Sequence, residues 1–498
     1  MASLWSNGEV ETKTGDAVTI AEESLERLQQ YVKFVFDRKE EKASKVQGLI
    51  DKVFAVLGSL DAEAEAALPG KQRARRAYIR GRALDAKEAF DPAAEAHLTR
   101  AVKLDPSEIE YWNGLGHVFW KKGDLEAARR SFAKGCGNGD DVDESSTAAA
   151  ATATAANFSS GTASVPPPLS AVSLREMSKL LRQVPTGEDG WEDPKLATTE
   201  ARLRESLARA RQAVSLRVTD PESWFVLGNA YVAVFFSGPE ADTSLMDKAL
   251  AAYGRSEMNG GGRNPDLYFG RAQVHRYKEQ YQRAADDYRR AATIDPSLPA
   301  AAALQEMDHF LNRVADLVAH RGRVRPKKLR SITDVLKAAV LPEGTPFTLV
   351  EGGAAALEAP SSAVKATNRG LALALCMVLP LGRSDFPPSS YLCVDREGTF
   401  VVLSIYHLDV STLSDSDDLL VLDPCVFTVT YTQDVKPTTN IEGASAQEVL
   451  VVNMEKPVGK VSYRCIHVRN PTSLLVNNKA LKLATATRPS VTTMLSPG

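Results

Sequence analysis

The sequence predicts an α+β multidomain protein, in which an α-solenoid of paired helices is followed by a C-terminal β-barrel of the OB type. Two observations predict this order. Residues of fixed type recur at a spacing of 34 positions up to about residue 296, and runs of β-branched and aromatic residues separated by turn residues replace them in the last third. A 34-residue period is typical of helix pairs that must stack, because one pair cannot bury its own apolar face.

Four copies of one pattern carry the repeat assignment. The second copy reads W-x2-L-G-x2-F and then A-x3-F, from Trp112 to Phe132, and Tyr78 stands 34 positions before Trp112. The third and fourth copies carry Trp224 and Tyr268 at the equivalent position. Small residues at the eighth and twentieth positions let the two helices of a repeat approach closely. This tetratricopeptide (TPR) pattern predicts a solenoid with a concave groove that binds peptides or proteins.

Composition and periodicity divide the chain into seven segments. They are a disordered tail (1–18), N-terminal helices and TPR repeats (19–136), a disordered Ala/Ser/Thr/Pro insertion (137–172), TPR repeats with a capping helix (173–320), a basic linker (321–340), the OB-fold domain (341–490) and a tail (491–498). The insertion has too few large apolar residues to form a core, and the helical stretches on its C-terminal side predict a degenerate repeat.

Five strand-like runs predict the C-terminal barrel. The runs are 371–380, 391–394, 400–407, 419–431 and 461–468. Asp395 and Gly398, between the second and third runs, form an Asp-x-x-Gly hairpin signal. A small closed barrel of the OB type fits this order, and a β-sandwich is the alternative.

Composition also limits the classes of function. A net charge of −3 argues against a dedicated nucleic-acid binder. The five cysteines have no C-x-x-C spacing, which argues against a disulfide framework or a zinc knuckle, so we expect neither a metal nor a cofactor. The seven histidines are dispersed and accompany no nucleophile or phosphate-loop motif, so we expect no enzyme. An apolar run at 371–381 is too short to span a bilayer, and we expect a cytoplasmic and nuclear protein.

Several longer motifs resemble one family of TPR proteins. They are W-N-G-L-G-H-V-F-W-K-K-G-D (112–124), M-S-K-L-L-R-Q (177–183), S-W-F-V-L-G-N-A-Y (223–231), N-P-D-L-Y (264–268) and L-L-V-N-N-K (474–479). The M-S-x-x-L-R-Q and N-P-D-L stretches are absent from a generic TPR. The chain resembles the tetratricopeptide repeat protein 5 family over most of residues 20–480, excluding the insertion.

The resemblance implies a non-enzymatic adaptor that associates with ribosomes, recognises the nascent Met-Arg-Glu start of tubulin and triggers decay of tubulin mRNA. In that family an arginine pairs with the peptide glutamate and two acids pair with the peptide arginine. The arginine matches Arg182 and the first acid matches Asp266. The second acid is replaced by Ala300, for which Asp295 or Glu306 could compensate.

Position within the fourth repeat supports part of this peptide site. Counted from Pro265 as the first position, Asp266, Phe269 and Gln273 are second, fifth and ninth, and these positions face the groove in TPR proteins. Asp266 equally suits the positive end of the helix dipole, and Arg182 taken alone suits a solvated helix face better than a ligand contact. We therefore predict peptide binding by these four residues with both alternatives open.

A basic cluster near the first repeat is a candidate contact for ribosomal RNA. Arg73, Arg76 and Arg80 lie within one short helical stretch, and phosphate contact needs only dense positive charge. The alternative is a solvated helix face.

Two other functions remain open from the sequence. The first is a nuclear scaffold for transcription regulators and coactivators in a stress response, which uses the groove and the barrel. Direct DNA binding is disfavoured because few cations accompany the barrel's candidate stacking aromatics, Tyr391, Phe400, Tyr406 and Phe427. The second is a chaperone-type adaptor that clamps a C-terminal carboxylate with Asn113 and Asn229.

Overall fold

The computed structural model describes most of the chain in two compact units, residues 1–264 and 265–498, and each unit is presented by itself. The described residues are 17–36, 39–58, 62–136, 169–183, 196–237, 242–343, 345–357, 368–381, 388–406, 413–414, 417–433, 459–469 and 471–480. Residues 1–16 of the predicted N-terminal tail, the whole predicted C-terminal tail and residues 137–168 of the predicted insertion lie outside them. The last two residues of that first tail and of that insertion are helical instead, because helices begin at Ala17 and Ala171.

Helices make up the first unit. They are α1 (Ala17–Phe34), α2 (Lys39–Leu57), α3 (Ala62–Ala67), α4 (Gly70–Leu84), α5 (Pro92–Leu104), α6 (Ile109–Lys122), α7 (Leu125–Ala133), α8 (Ala171–Leu181), α9 (Thr199–Leu216), α10 (Pro221–Ser237) and α11 (Thr243–Met258). The pairs α4–α5, α6–α7 and α10–α11 are the predicted repeats, and α8–α9 is the degenerate repeat, so the TPR prediction is confirmed.

The sequence sets where these helices begin and end. Asp91 precedes α5 and its carboxylate accepts a hydrogen bond from the backbone N–H of Ala93, while Pro92 occupies the first helical position. Asp124 caps α7 in the same way by accepting from the N–H of Ala127. Gly123 ends α6 in a left-handed conformation with φ of 89°, which a glycine adopts without steric cost.

Two glycines allow the close helix contact that the repeat pattern predicts. A Cβ atom on Gly116 would lie 2.6 Å from the Phe132 ring, and one on Gly228 would lie 2.5 Å from the Tyr253 ring. Both distances are shorter than van der Waals contact, so the aromatic ring of the second helix occupies the space that a side chain on the first would need.

The second unit begins with helices. They are α12 (Pro265–Tyr277), α13 (Tyr281–Ile294), α14 (Ala300–Ala319) and α15 (Pro326–Lys337). The pair α12–α13 is the fourth predicted repeat, and α14 is the predicted capping helix. The prediction of a linker at 321–340 is wrong in part, because α15 occupies its centre.

Helix α15 was missed because its proline and basic residues suggested a linker. Pro326 stands at the first helical position, where the missing N–H is not needed. Leu329, Ile332 and Leu336 form an apolar stripe at helical spacing, and Leu336 is buried.

A nine-stranded sheet completes the second unit. Its strands are β1 (Thr348–Leu349), β2 (Leu371–Pro380), β3 (Ser389–Asp395), β4 (Phe400–Ile405), β5 (Asp418–Leu422), β6 (Cys425–Thr432), β7 (Lys460–Val468), β8 (Leu474–Val476) and β9 (Lys479–Ala480). The order is β6-β7-β4-β3-β2-β5-β8-β9, with β1 added beside β2, and β7 runs parallel to β4. Leu403, Ile405, Ile466 and Val468 belong to the apolar core of this unit.

Turn geometry separates the predicted runs. Asp395 accepts hydrogen bonds from the N–H groups of Glu397 and Thr399, and Gly398 has φ of 79°, so the β3–β4 hairpin is confirmed. The run 419–431 contains two strands, because Asp423 interrupts it with φ of 49°. None of the described helices has the length and apolar character that crossing a bilayer requires.

Candidate peptide-binding site

Arg182 lies at the C-terminal end of α8, half-buried in the first unit. Its Nη1 donates to the carbonyl and the hydroxyl oxygen of Ser178, at 3.1 and 2.9 Å, and to the hydroxyl of Ser206 at 3.2 Å. These acceptors are uncharged, and among the described residues no carboxylate pairs with this guanidinium.

Burial lowers the pKa of the Arg182 guanidinium. Desolvation lowers its pKa to about 10, and the nearby Tyr253 and Glu176 offset only part of that effect. The group remains charged at neutral pH, and a charge held away from water without a counterion favours an anionic ligand.

A charge network lies close by in the same unit. Glu176 of α8 is buried and bonds Lys179, which also donates to Glu222 of α10 at 3.1 Å. Arg175 bonds Glu176 and Asp220 at 3.2 and 2.9 Å. The acids here already have basic partners, in contrast to the uncharged surroundings of Arg182.

The other three predicted peptide contacts lie on α12 in the second unit. Asp266 is in the first turn of the helix and half-buried. Phe269 is buried, with its ring centroid 5.8 Å from that of Tyr288, so its contact is one between α12 and α13. Gln273 is also buried, and its Oε1 has no hydrogen-bond partner among the described residues.

The place of the missing family acid is part of the core. Ala300 is the first residue of α14 and is fully buried. Glu306 pairs with Arg276 at 2.8 Å, and Asp295 accepts from the N–H and hydroxyl of Ser297. Both candidate substitutes for the missing acid are therefore engaged within the second unit.

The basic cluster near the first repeat is largely internal. Arg76 is 1% exposed and donates to the carbonyl of Leu57. Arg80 forms a two-pronged pair with Glu65 at 2.7 and 2.8 Å, and Arg73 is half-buried. Burial removes Arg76 from any RNA surface and pairing neutralises Arg80, which disfavours the predicted RNA contact at these two residues.

The structure also describes the residues considered for a carboxylate clamp and for base stacking. Asn113 is buried, which keeps its amide N–H donors away from a ligand carboxylate. The side-chain oxygens of Asn113 and Asn229 accept hydrogen bonds from the hydroxyls of Ser173 and Tyr253. Of the four barrel aromatics, Tyr391, Phe400 and Tyr406 are buried and cannot stack on bases.

One buried group of ligating side chains was not predicted. Glu279, Cys465 and His467 come together in the second unit. The only local signal was the C-x-H spacing at 465–467, because Glu279 is 186 residues from Cys465 in the chain.

Comparisons with known proteins agree with this architecture. Residues 362–490 match the family model described as the tetratricopeptide repeat protein 5 OB fold domain, and residues 109–137 and 265–298 match tetratricopeptide repeat models. The chain is thus a TPR protein with a C-terminal OB fold domain. Its resemblance to the tetratricopeptide repeat protein 5 family is confirmed.

Full-length relatives carry the same name. The chain is 29% identical to tetratricopeptide repeat protein 5 of Mus musculus, over 74% of this chain and 75% of the relative. It is 28% identical to that of Homo sapiens over 74% and 76%. A solved TPR protein, YrrB, described as having an unusual peptide-binding site, is 15% identical with a TM-score of 0.26 over 57% of this chain and 99% of its own, which is too low to support an inference. These matches indicate an adaptor-type protein and no enzyme family.

Proposed function

We propose that this protein is a ribosome-associated adaptor that recognises the nascent N-terminus of tubulin and triggers decay of tubulin mRNA. The family resemblance supplies the kind of peptide that is bound. The translating ribosome that carries this peptide would be met in the cytoplasm. In it, Arg182 binds the peptide glutamate and Asp266 binds the peptide arginine.

The observation that carries the proposal is the state of Arg182. Among the described residues this half-buried guanidinium donates to Ser178 and Ser206 and to no carboxylate. A peptide carboxylate would supply the missing counter-charge and could accept two parallel N–H bonds. This arginine matches the family's glutamate-binding position, so the carboxylate in the proposal is that of the peptide glutamate.

Binding of the peptide arginine is supported by fewer residues than the family pattern has. Asp266 offers one carboxylate at the start of α12, while the second acid of the family is replaced by the buried Ala300. The unpartnered Oε1 of buried Gln273, on the same helix, is a further acceptor suited to a guanidinium or a backbone N–H of the peptide.

Ribosome capture tests the proposal. Ribosomes that translate tubulin with its first four residues intact are compared with ribosomes that carry the same residues scrambled, and crosslinked protein is measured. We expect recovery only with the intact sequence, and loss of recovery for Arg182→Glu. Equal recovery from both ribosome populations would contradict tubulin recognition.

A further inference from the structure

A cluster of three ligating side chains lies between the α12–α13 turn and the sheet of the second unit. One ligand atom each of Glu279, Cys465 and His467 lies within 4.8 Å of the other two. Cys465 and His467 are two residues apart on β7, so both side chains project from the same face of the sheet.

Glu279 reaches this face through an uncommon backbone conformation. It follows α12 with φ of 55°, a left-handed value that residues with a Cβ seldom adopt. Its side chain is nevertheless only 1% exposed. The N–H of Gln280 bonds the carbonyl of His275, so Glu279 is the left-handed cap of α12, a position that glycine or asparagine usually occupies.

We propose that Glu279, Cys465 and His467 bind a zinc ion. A carboxylate oxygen, a thiolate sulfur and an imidazole nitrogen are the three ligand types that zinc takes in proteins, and a water molecule supplies the fourth position of such three-residue sites. Zinc bonds of about 2.0–2.3 Å put tetrahedral ligand atoms roughly 3.3–3.8 Å apart. The Glu279 Oε1 to Cys465 Sγ separation is 3.8 Å.

Charge balance favours a divalent cation at this place. The carboxylate and the thiolate together carry two negative charges, which Zn²⁺ neutralises. Among the described residues Glu279 has an ion-pair contact with His467 alone. A buried carboxylate without a cation is costly, and a neutral imidazole is the form that ligates metals.

Neighbouring side chains orient the ligands. The Ser404 hydroxyl donates to Glu279 Oε1 at 2.7 Å and lies 3.2 Å from Cys465 Sγ. The Tyr406 hydroxyl donates to Glu279 Oε2 at 3.3 Å, and its ring packs edge-on against the His467 imidazole. Hydrogen bonds to ligand atoms and an apolar wall are the usual surroundings of a metal site.

The ion joins two parts of the second unit. Glu279 lies in the turn of the last helix pair, and both other ligands lie on one strand of the OB fold domain. A zinc ion bound by these residues would crosslink the α12–α13 turn to β7. This role is structural and does not depend on the proposed function of the chain.

Metal analysis of the full-length protein tests the inference. We expect about one zinc per chain after purification without chelators. After chelator treatment, added Co²⁺ should give a thiolate-to-cobalt charge-transfer band. Cys465→Ser should abolish that band and weaken zinc binding by more than about 100-fold, since loss of an outer-shell partner alone costs about 10–100-fold. Ser404→Ala should fall in that smaller range.

The matched control is Cys136→Ser, which changes a buried cysteine of the first unit whose thiol donates to a backbone carbonyl. It should leave the zinc content and the cobalt spectrum unchanged. Absence of zinc and of a thiolate band in wild-type protein would overturn the inference, as would undiminished zinc binding in Cys465→Ser. If Cys465→Ser does not fold, the wild-type cobalt spectrum and the Ser404→Ala affinity decide the question.

Discussion

At the scale of single residues, the arginines of the first unit differ in whether they bond a carboxylate. Arg80, Arg175 and Arg209 each bond a carboxylate within the first unit. Arg182 is held by hydroxyl and carbonyl oxygens instead, and its pKa is lowered to about 10 by burial. In the proposed function, the peptide glutamate supplies the carboxylate that Arg182 lacks among the described residues.

Substitution of Arg182 should separate charge from geometry in peptide binding. Arg182→Glu should abolish binding of a Met-Arg-Glu peptide, because repulsion adds to a loss of roughly 2–5 kcal/mol for a desolvated pair. Arg182→Lys should retain part of the affinity, since a lysine keeps the charge without the planar fork. Peptide titration measures both. Arg204→Glu, at an exposed arginine paired with Glu200, is the control and should bind as wild type does.

Asp266 carries the complementary prediction. Asp266→Ala should weaken binding of the Met-Arg-Glu peptide by roughly 2–5 kcal/mol if the pair is desolvated. It should change little for a peptide whose arginine is replaced by alanine. A double-mutant cycle of protein and peptide isolates this coupling. Asp286→Ala, at an exposed acid of α13, is the matched control, and a coupling energy near zero for Asp266 would count against its role.

At the scale of helices, stability depends on the close contact within each repeat. The Cβ of Gly228→Ala would lie 2.5 Å from the Tyr253 ring, so the pair α10–α11 must separate or the ring must move. We expect a loss of about 1–3 kcal/mol in the free energy of unfolding, as for other overpacked cores. Denaturant titration followed by circular dichroism measures it.

Gly254→Ala supplies the control for that change on the neighbouring helix. Gly254 lies inside α11, and an added Cβ there meets no atom within 4 Å. Alanine should therefore stabilise the helix by up to about 1 kcal/mol. Equal effects of the two substitutions would mean that helix propensity, and not the ring contact, explains the glycine of the repeat.

The sequence predicted best those elements in which the same residue pattern, with the same packing role, occurs more than once. The 34-residue spacing predicted the helix pairs, because the same contact recurs in separate copies, with Gly116 against the Phe132 ring and Gly228 against the Tyr253 ring. Strand divisions were harder where one residue decides them, as Asp423 does with φ of 49°. The two-residue turn between β8 and β9 had a readable signal, because Asn477 and Asn478 both have positive φ and asparagine tolerates it.

The sequence names candidate site residues but does not show their environment. A motif match located Arg182, yet only the packed structure shows that Ser178 and Ser206 are its partners. The same limit applies to Arg76 and Phe269, which the sequence placed at binding surfaces and the structure buries. Contacts between distant segments, such as Glu279 with His467, produce no periodic pattern in the sequence. The tertiary fold alone brings such residues together.

At the scale of the whole molecule, the net charge is only −3, yet ion pairs connect helices that are far apart in the chain. Glu222 of α10 bonds Lys33 of α1 and Lys179 of α8, residues 189 and 43 positions away. Burial alone would raise the pKa of Glu176, but Lys179, His117 and Arg175 lower it to about 2. Against the same burial, Lys179, Lys33 and Arg175 hold the pKa of Glu222 far below its usual range.

This network should make the first unit sensitive to acid. A carboxyl whose pKa is lowered on folding stabilises the fold above its unfolded pKa of about 4.5, and this contribution is lost as pH falls through the folded value near 2. For Glu176 the loss is of the order of 2–3 kcal/mol. Thermal unfolding of wild type and Glu176→Gln between pH 7 and pH 2 measures it. The variant should be less stable at pH 7 and lose less on acidification, whereas Glu200→Gln, at an exposed acid, should follow the wild-type profile. Parallel pH profiles for wild type and Glu176→Gln would show that the acid sensitivity arises elsewhere in the chain.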